Sequence, residues 1–313
     1  MLQITLDIFS GRPNPSWILD EQDAREILKN IAKNRGVVTE VDSGYQGLGY
    51  RGLILESLTD HVAAQYDLPS MFEIANGASL YESKADEIAE HLISTMPSDN
   101  LRARGTEQPV EFDERLKQQL LDHLGTFPKL EIPSELDSSE RSAASSTPDE
   151  TAAQTRDLDK TCLIENAPYK PDFWNNANHL KLNNCYNYAV NIRTDTFAQP
   201  GRATGRYPYA KLCHELTTAV LSDGNHKRFD CLPESEKPRH IMALVLCPVL
   251  DYHWYRKHRE GFWAHKPGVK PVRNVDNSGQ VIYNPETCDR TSGFPPYVEF
   301  CGYFYRPKSV RVK

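Results

Sequence analysis

Three things are missing from this chain of 313 residues, and each absence removes a class of protein. It has no run of eighteen apolar residues, so no helix is expected to span a bilayer. It has no surplus of basic residues: 43 Asp and Glu stand against 36 Lys and Arg, a formal charge of −7. A general nucleic-acid binder needs a basic stripe to displace counterions, and an anionic membrane surface would not attract this composition. It has no cysteine before residue 160; all seven (162, 185, 213, 231, 247, 288 and 301) follow. The opening MLQITLDIFSGRPNP also lacks the cationic and apolar regions of a secretory signal. An odd cysteine count without such a signal leads us to expect reduced thiols in a cytoplasmic protein, or in one exported without a cleavable signal.

Large apolar residues are lacking from Leu136 to Leu158 as well, within PSELDSSERSAASSTPDETAAQTRDLDK. Such a stretch cannot bury enough surface to offset its ordering entropy and reads as an acidic flexible linker over 132–160. It divides an N-terminal α+β domain, 1–131, from a second domain, 161–313. In the first, Leu2, Ile4, Leu6 and Ile8 alternate as a half-buried strand does. GRPNPS then turns, and Asp20 caps a helix whose Ala24, Ile27, Leu28 and Ile31 share one face. A strand over 52–58 and helices over 83–95 and 111–124 complete it. Gly47, Gly49 and Gly52 match G-x-G-x-x-G, but a strand follows them where a dinucleotide fingerprint needs a helix, so they read as a connection without phosphate.

The second domain is dense in aromatics, Asn, Pro and Cys. Helices are expected over 184–193 and 209–221, then a buried strand over 240–248. Strand-like runs follow at 271–275, 280–283 and 297–305, which suggests an antiparallel sheet and an α+β fold.

No C-x-x-C, H-E-x-x-H, G-x-S-x-G or P-loop spacing is present, so no metal or organic cofactor is called for. What remains is a thiol and two histidines. Asn183 or Asn184 can cap a helix that begins at Cys185, and first-turn amides favour a thiolate and can hold an oxyanion. Downstream, DYHWYRKHREGFWAHKPG reads as a hairpin carrying His253 and His265, twelve residues apart. A turn centred on Arg259 sets the two histidines opposite each other, with Cβ atoms about 4.5–5.5 Å apart. Thiol catalysis needs a base and a group that orients the base. A second assignment makes His265 the base and Asp276 the orienting residue.

On these residues the chain resembles papain-like thiol hydrolases of the NlpC/P60 type, in which cysteine opens a helix packed on an antiparallel sheet. Asn-Cys185-Tyr is similar to their nucleophile position, and His253 and His265 to their base and orienting residue. The His265–Asp276 assignment resembles the transglutaminase-like branch. Asn-Cys-Tyr-Asn replaces the usual Asp-Cys-Ser-Gly, and the helix-to-strand separation is longer. The resemblance implies a cysteine-dependent hydrolase or acyltransferase that cleaves an amide, isopeptide or ester in a peptide, protein or small molecule. Two other readings stay open. One is a non-catalytic binding or toxin-associated module on the same fold. The other is a zinc protein, with Cys185, His253 and His265 as ligands.

Overall fold

The computed structural model describes residues 1–59, 62–99, 101–106, 109–124, 162–227 and 231–313; the expected linker, 132–160, lies outside these described residues. The alternating N-terminal run forms β1 (Leu2–Asp7), whose Leu2, Ile4 and Leu6 are fully buried. The GRPNPS turn leads into β2 (Pro15–Leu19), a strand the turn composition hides. Helix α1 (Glu21–Lys33) starts at Asp20, whose carboxylate accepts from the Gln22 and Asp23 amides, and it buries Ala24, Ile27, Leu28 and Ile31 as their spacing requires. After β3 (Gly52–Ser57) and β4 (Met71–Ile74) come α2 (Glu82–Ser94), β5 (Arg102–Ala103) and α3 (Glu114–His123). The five strands form one sheet in the order β4-β3-β1-β2-β5, antiparallel in its β1–β2, β1–β3, β2–β5 and β3–β4 pairs. One continuous apolar cluster lies between this sheet and the helices.

The C-terminal half begins with α4 (Pro171–Asn175), α5 (Cys185–Val190) and α6 (Cys213–Ser222). It continues with β6 (His226–Lys227), β7 (His240–Cys247), β8 (Asp251–Lys257), β9 (Trp263–His265) and β10 (Glu299–Arg306), which build a second antiparallel sheet in the order β6-β10-β7-β8-β9. The fold is thus mixed α+β, helices with two antiparallel sheets. All eight residues of β7 are buried, because both faces of this sheet are covered. Met242, Leu244 and Leu246 pack with α5 on one face, and Ile241, Ala243, Val245 and Cys247 pack on the other. The runs at 271–275 and 280–283 do not form strands as expected. They shrink to isolated bridges, Arg273 with His265 and Val275 with Val281, because Asp276 draws the chain between them into a tight turn.

The expectation of reduced thiols is also corrected. Cys162 pairs with Cys231 and Cys213 with Cys301, with Cα atoms 5.1 and 5.3 Å apart, leaving Cys185, Cys247 and Cys288 free. The partners are 69 and 88 residues apart in the chain, so their proximity comes from the tertiary fold and not from a local motif.

The two halves are in buried contact. Lys270 reaches from the second half to Asp7 (3.0 Å), Asp42 (2.7 Å) and Glu73 (3.3 Å) of the first. Arg51 holds Asp7 from the other side at 2.6 Å. Burial alone would raise the Asp7 carboxyl, but Arg51 and Lys270 outweigh it and hold the group well below the usual carboxylate range. Glu73 keeps a raised value because burial outweighs Lys270 there. Each half also lends the other an apolar residue: Phe294 joins the first cluster, and Leu48 joins the second sheet's. Gly49 permits this approach. Its φ is +102°, and a Cβ there would fall 2.7 Å from the Phe294 amide, which is a packing reason for the glycine run and not a phosphate one.

Removing one partner of a buried ion pair leaves an uncompensated charge, at a cost of about 3–5 kcal/mol. Lys270→Met is therefore expected to lower unfolding free energy by about that amount in urea titration, and a loss under about 1 kcal/mol would show that the Lys270 cluster does not hold the halves together.

Candidate functional site

Asn184 is the N-cap of α5. Its side chain accepts from the Tyr186 and Asn187 amides, and the Asn187 side chain returns a bond to the Asn184 amide, completing a capping box. Cys185 therefore stands at the first helical position, as the sequence suggests. Its surroundings are closed, however. The thiol is fully buried, and Sγ lies 4.0 Å from the Tyr252 carbonyl. Burial pushes the thiol well above its ordinary value and Asp251 adds to this, while Lys266 and backbone donors oppose it only in part.

The cover over α5 comes from the N-terminal half. The Gly11 carbonyl accepts from Asn184 Nδ2, Gln199 Nε2 and Tyr252 Oη, each at 2.9 Å. The buried Asp251 carboxylate accepts from the Ser10 amide (2.6 Å), the Gly11 amide (3.1 Å) and the Tyr297 hydroxyl (2.6 Å). A Cβ at Gly11 would sit 2.5 Å from the Tyr252 carbonyl oxygen, so glycine alone fits this approach.

The hairpin forms between β8 and β9, with a register one residue later than expected: Tyr255 pairs with His265, which leaves His253 diagonal to it. A shift of the turn centre by a whole residue keeps both histidines on the same face. They touch through His253 Nε2 and His265 Nδ1 at 2.8 Å. His265 Nε2 lies 3.0 Å from the Val275 carbonyl, which can only accept, so Nε2 carries the proton and Nδ1 is left to accept from His253. The orienting group is thus a backbone carbonyl and not Asp276. The Asp276 carboxylate is spent on the Ser278, Gln280 and Asp289 amides and the Ser278 hydroxyl. His253 Nδ1 is left without a partner among the described residues. Burial, then His265 and Arg51, keep His253 well below the ordinary imidazole range, and burial with Arg273 brings His265 down to about 3.

The thiol and the histidine pair do not meet. On β8, Tyr252 and Trp254 face α5 and Cys185, while His253 and Tyr255 face the opposite side with Tyr297. The sheet itself lies between Cys185 and both histidines, so neither Cys-His-His nor Cys-His-Asp is assembled. The same separation removes the expected zinc set. Among the described residues, the one grouping with metal-ligand spacing is Cys213, Glu299 and Cys301, and its two cysteines are joined as a disulfide. Sequence reasoning passed over Lys266, which faces the thiol's side of the sheet. Its ammonium donates to the Leu180 (2.6 Å) and Gly268 (2.8 Å) carbonyls, and burial brings it down to about 7. Strand alternation next to His265 was the signal available for it.

Comparison with known proteins places the chain. No protein-family model matches it, and no solved structure matches it. Insoluble matrix shell protein 1 of Ruditapes philippinarum is 42% identical to it over 146 residues, which is 46% of this chain and 93% of that protein. The chain belongs to the family of that shell protein.

Two outcomes are expected. Cys288 is the least buried free thiol, so iodoacetamide with peptide mass mapping should find it labelled first and Cys185 last; Cys185 reacting first near neutral pH would contradict the closed site. The second concerns acid. A histidine held neutral in the fold contributes stability fully above its unfolded pKa of about 6.5, and this is lost as pH falls toward the folded value. Urea midpoints should therefore fall between pH 6.5 and 4 less steeply in His265→Gln than in the parent; identical slopes would mean that His265 takes up its proton as freely folded as unfolded.

Proposed function

We propose that this chain is a non-catalytic protein of an extracellular matrix, acting through its folded surface and not through a reactive thiol. The observation that carries this reading is the identity with insoluble matrix shell protein 1 across nearly that protein's whole length. The two disulfides support it, since such pairs persist in oxidising compartments and not in the cytosol. The separation of Cys185 from His253 and His265 supports it too, because a buried thiol with a raised pKa behaves as a small hydrophobe.

The second reading is the papain-like thiol hydrolase or acyltransferase, favoured by the place of Cys185 at the start of a capped helix packed on an antiparallel sheet. It requires the 10–12 loop to withdraw, with an acyl substrate taking up the donors that now hold the Gly11 carbonyl. The base on the thiol's own face is then Lys266. Thiolate attack would expel the amine or alcohol with the proton, and water would release the acid.

Two measurements divide these readings. Alkylation of the denatured, unreduced protein from its native secretory source should modify three cysteines, and seven after reduction. Ester and amide substrates should show no turnover that Cys185→Ser abolishes. Seven alkylated cysteines before reduction, or Cys185-dependent turnover, would overturn the matrix reading.

A further inference from the structure

The face of the second sheet that carries α5 holds an unbalanced set of buried cations. Arg306 on β10 pairs directly with His240 on β7, and Arg256 on β8 pairs with Met242, one step along the same face. Side chains two apart on a strand share a face, so Arg306, His240 and Arg256 follow Phe304, Met242 and Trp254 of the α5-side core. All three are more than nine-tenths buried. Arg256 Nε and Nη1, Arg306 Nε and both ring nitrogens of His240 lack hydrogen-bond partners among the described residues.

The neighbours do not supply the missing charge. Arg256 lies 4.3 Å over the Tyr188 ring and hydrogen-bonds the Tyr188 hydroxyl, which also meets His258 Nε2 at 2.6 Å. Arg306 has a long contact to the Pro238 carbonyl at 3.5 Å. No carboxylate among the described residues is in ion-pair contact with either guanidinium. Glu236, the acid that acts on Arg306, accepts from the Ser309 amide, and Glu165, which acts on His240, is held by Arg239. A guanidinium cannot shed its proton, and burying one without a counter-charge is costly. Burial and the two guanidiniums bring His240 down to about 3, so the imidazole is neutral and can offer one donor.

We propose that Arg256, Arg306 and His240 form a buried binding site for one small inorganic oxyanion, such as bicarbonate, phosphate or sulfate. Two guanidinium forks and a neutral imidazole donor suit several oxygens on one centre, and guanidinium recognises such oxyanions by paired hydrogen bonds. The site is independent of Cys185 and of the matrix reading, and its failure would leave both untouched.

The test uses the full chain. Protein desalted into chloride-free buffer is denatured, and released anions are counted by ion chromatography. Bicarbonate, phosphate and sulfate are then titrated separately at matched ionic strength, with Tm as the readout. The expectation is about one oxyanion per chain, or a saturable rise in Tm with one of the three, the preferred arm naming the source. Arg306→Met should weaken that binding at least tenfold, and Arg35→Met, a change at an exposed ion pair of the first half, should not. No released oxyanion together with no saturable shift in any arm overturns the proposal, and this result does not depend on whether a variant folds. Equal binding by folded Arg306→Met and by the parent also overturns it.

Discussion

The buried contact of Lys270 with Asp7, Asp42 and Glu73 is the constraint on which the rest of the molecule depends. Burying the Lys270 ammonium carries a desolvation cost that nearby carboxylates must offset, and here all of them come from the other half of the chain. Arg51 balances Asp7, so neither half can leave without stranding charge. The contact fixes where 268–273 runs, and with it the Arg273 bridge to His265 and the Val275 carbonyl that sets the His265 tautomer. It works alongside the Ser10–Gly11 turn, which lies on Tyr252 and closes the start of α5. The same packing that joins the halves therefore seals the cysteine.

Strand periodicity explains why a convincing list of residues does not make a site. Cys185 opens a capped helix, and His253 touches His265, so each part of the expected triad exists locally. Which face of β8 a residue takes depends on parity alone, and α5 packs against the even-numbered residues Tyr252 and Trp254. Histidine at 252 or 254 would face the thiol; at 253 it cannot. Reading the helix and the hairpin separately gives no information about which sheet face the helix will cover.

What was legible in the sequence was local. Asp20 before an amphipathic run, the alternation of Leu2, Ile4 and Leu6, and the continuous apolar run of β7 each carry their own period or cap, and each is found where expected. The closeness of His253 and His265 was legible too, because a hairpin turn sets both, although its register moved by one residue. The pairing of Cys162 with Cys231 and Cys213 with Cys301 was not, since no short spacing encodes contacts across 69 and 88 residues. Nor was the ion cluster, whose members Asp7, Asp42, Glu73 and Lys270 look like ordinary surface charges until the halves meet.

The disulfides fall where the apolar core is least continuous. The first half has one cluster spanning its sheet and helices, and it has no cysteine at all. The second half divides its apolar residues among three clusters, because its sheet is covered on both faces and interrupted by buried Arg, His and Lys. Polar side chains inside a core broken this way add desolvation costs. Cross-links that close loops this long each contribute about 4–5 kcal/mol in the chain-entropy account. Cys213–Cys301 ties α6 to β10, an inner strand of the sheet, and Cys162–Cys231 ties the start of the second half to the segment before β7. The covalent links thus stand in for the hydrophobic continuity that the buried cations interrupt, which makes the second half the part of the chain most dependent on an oxidising environment.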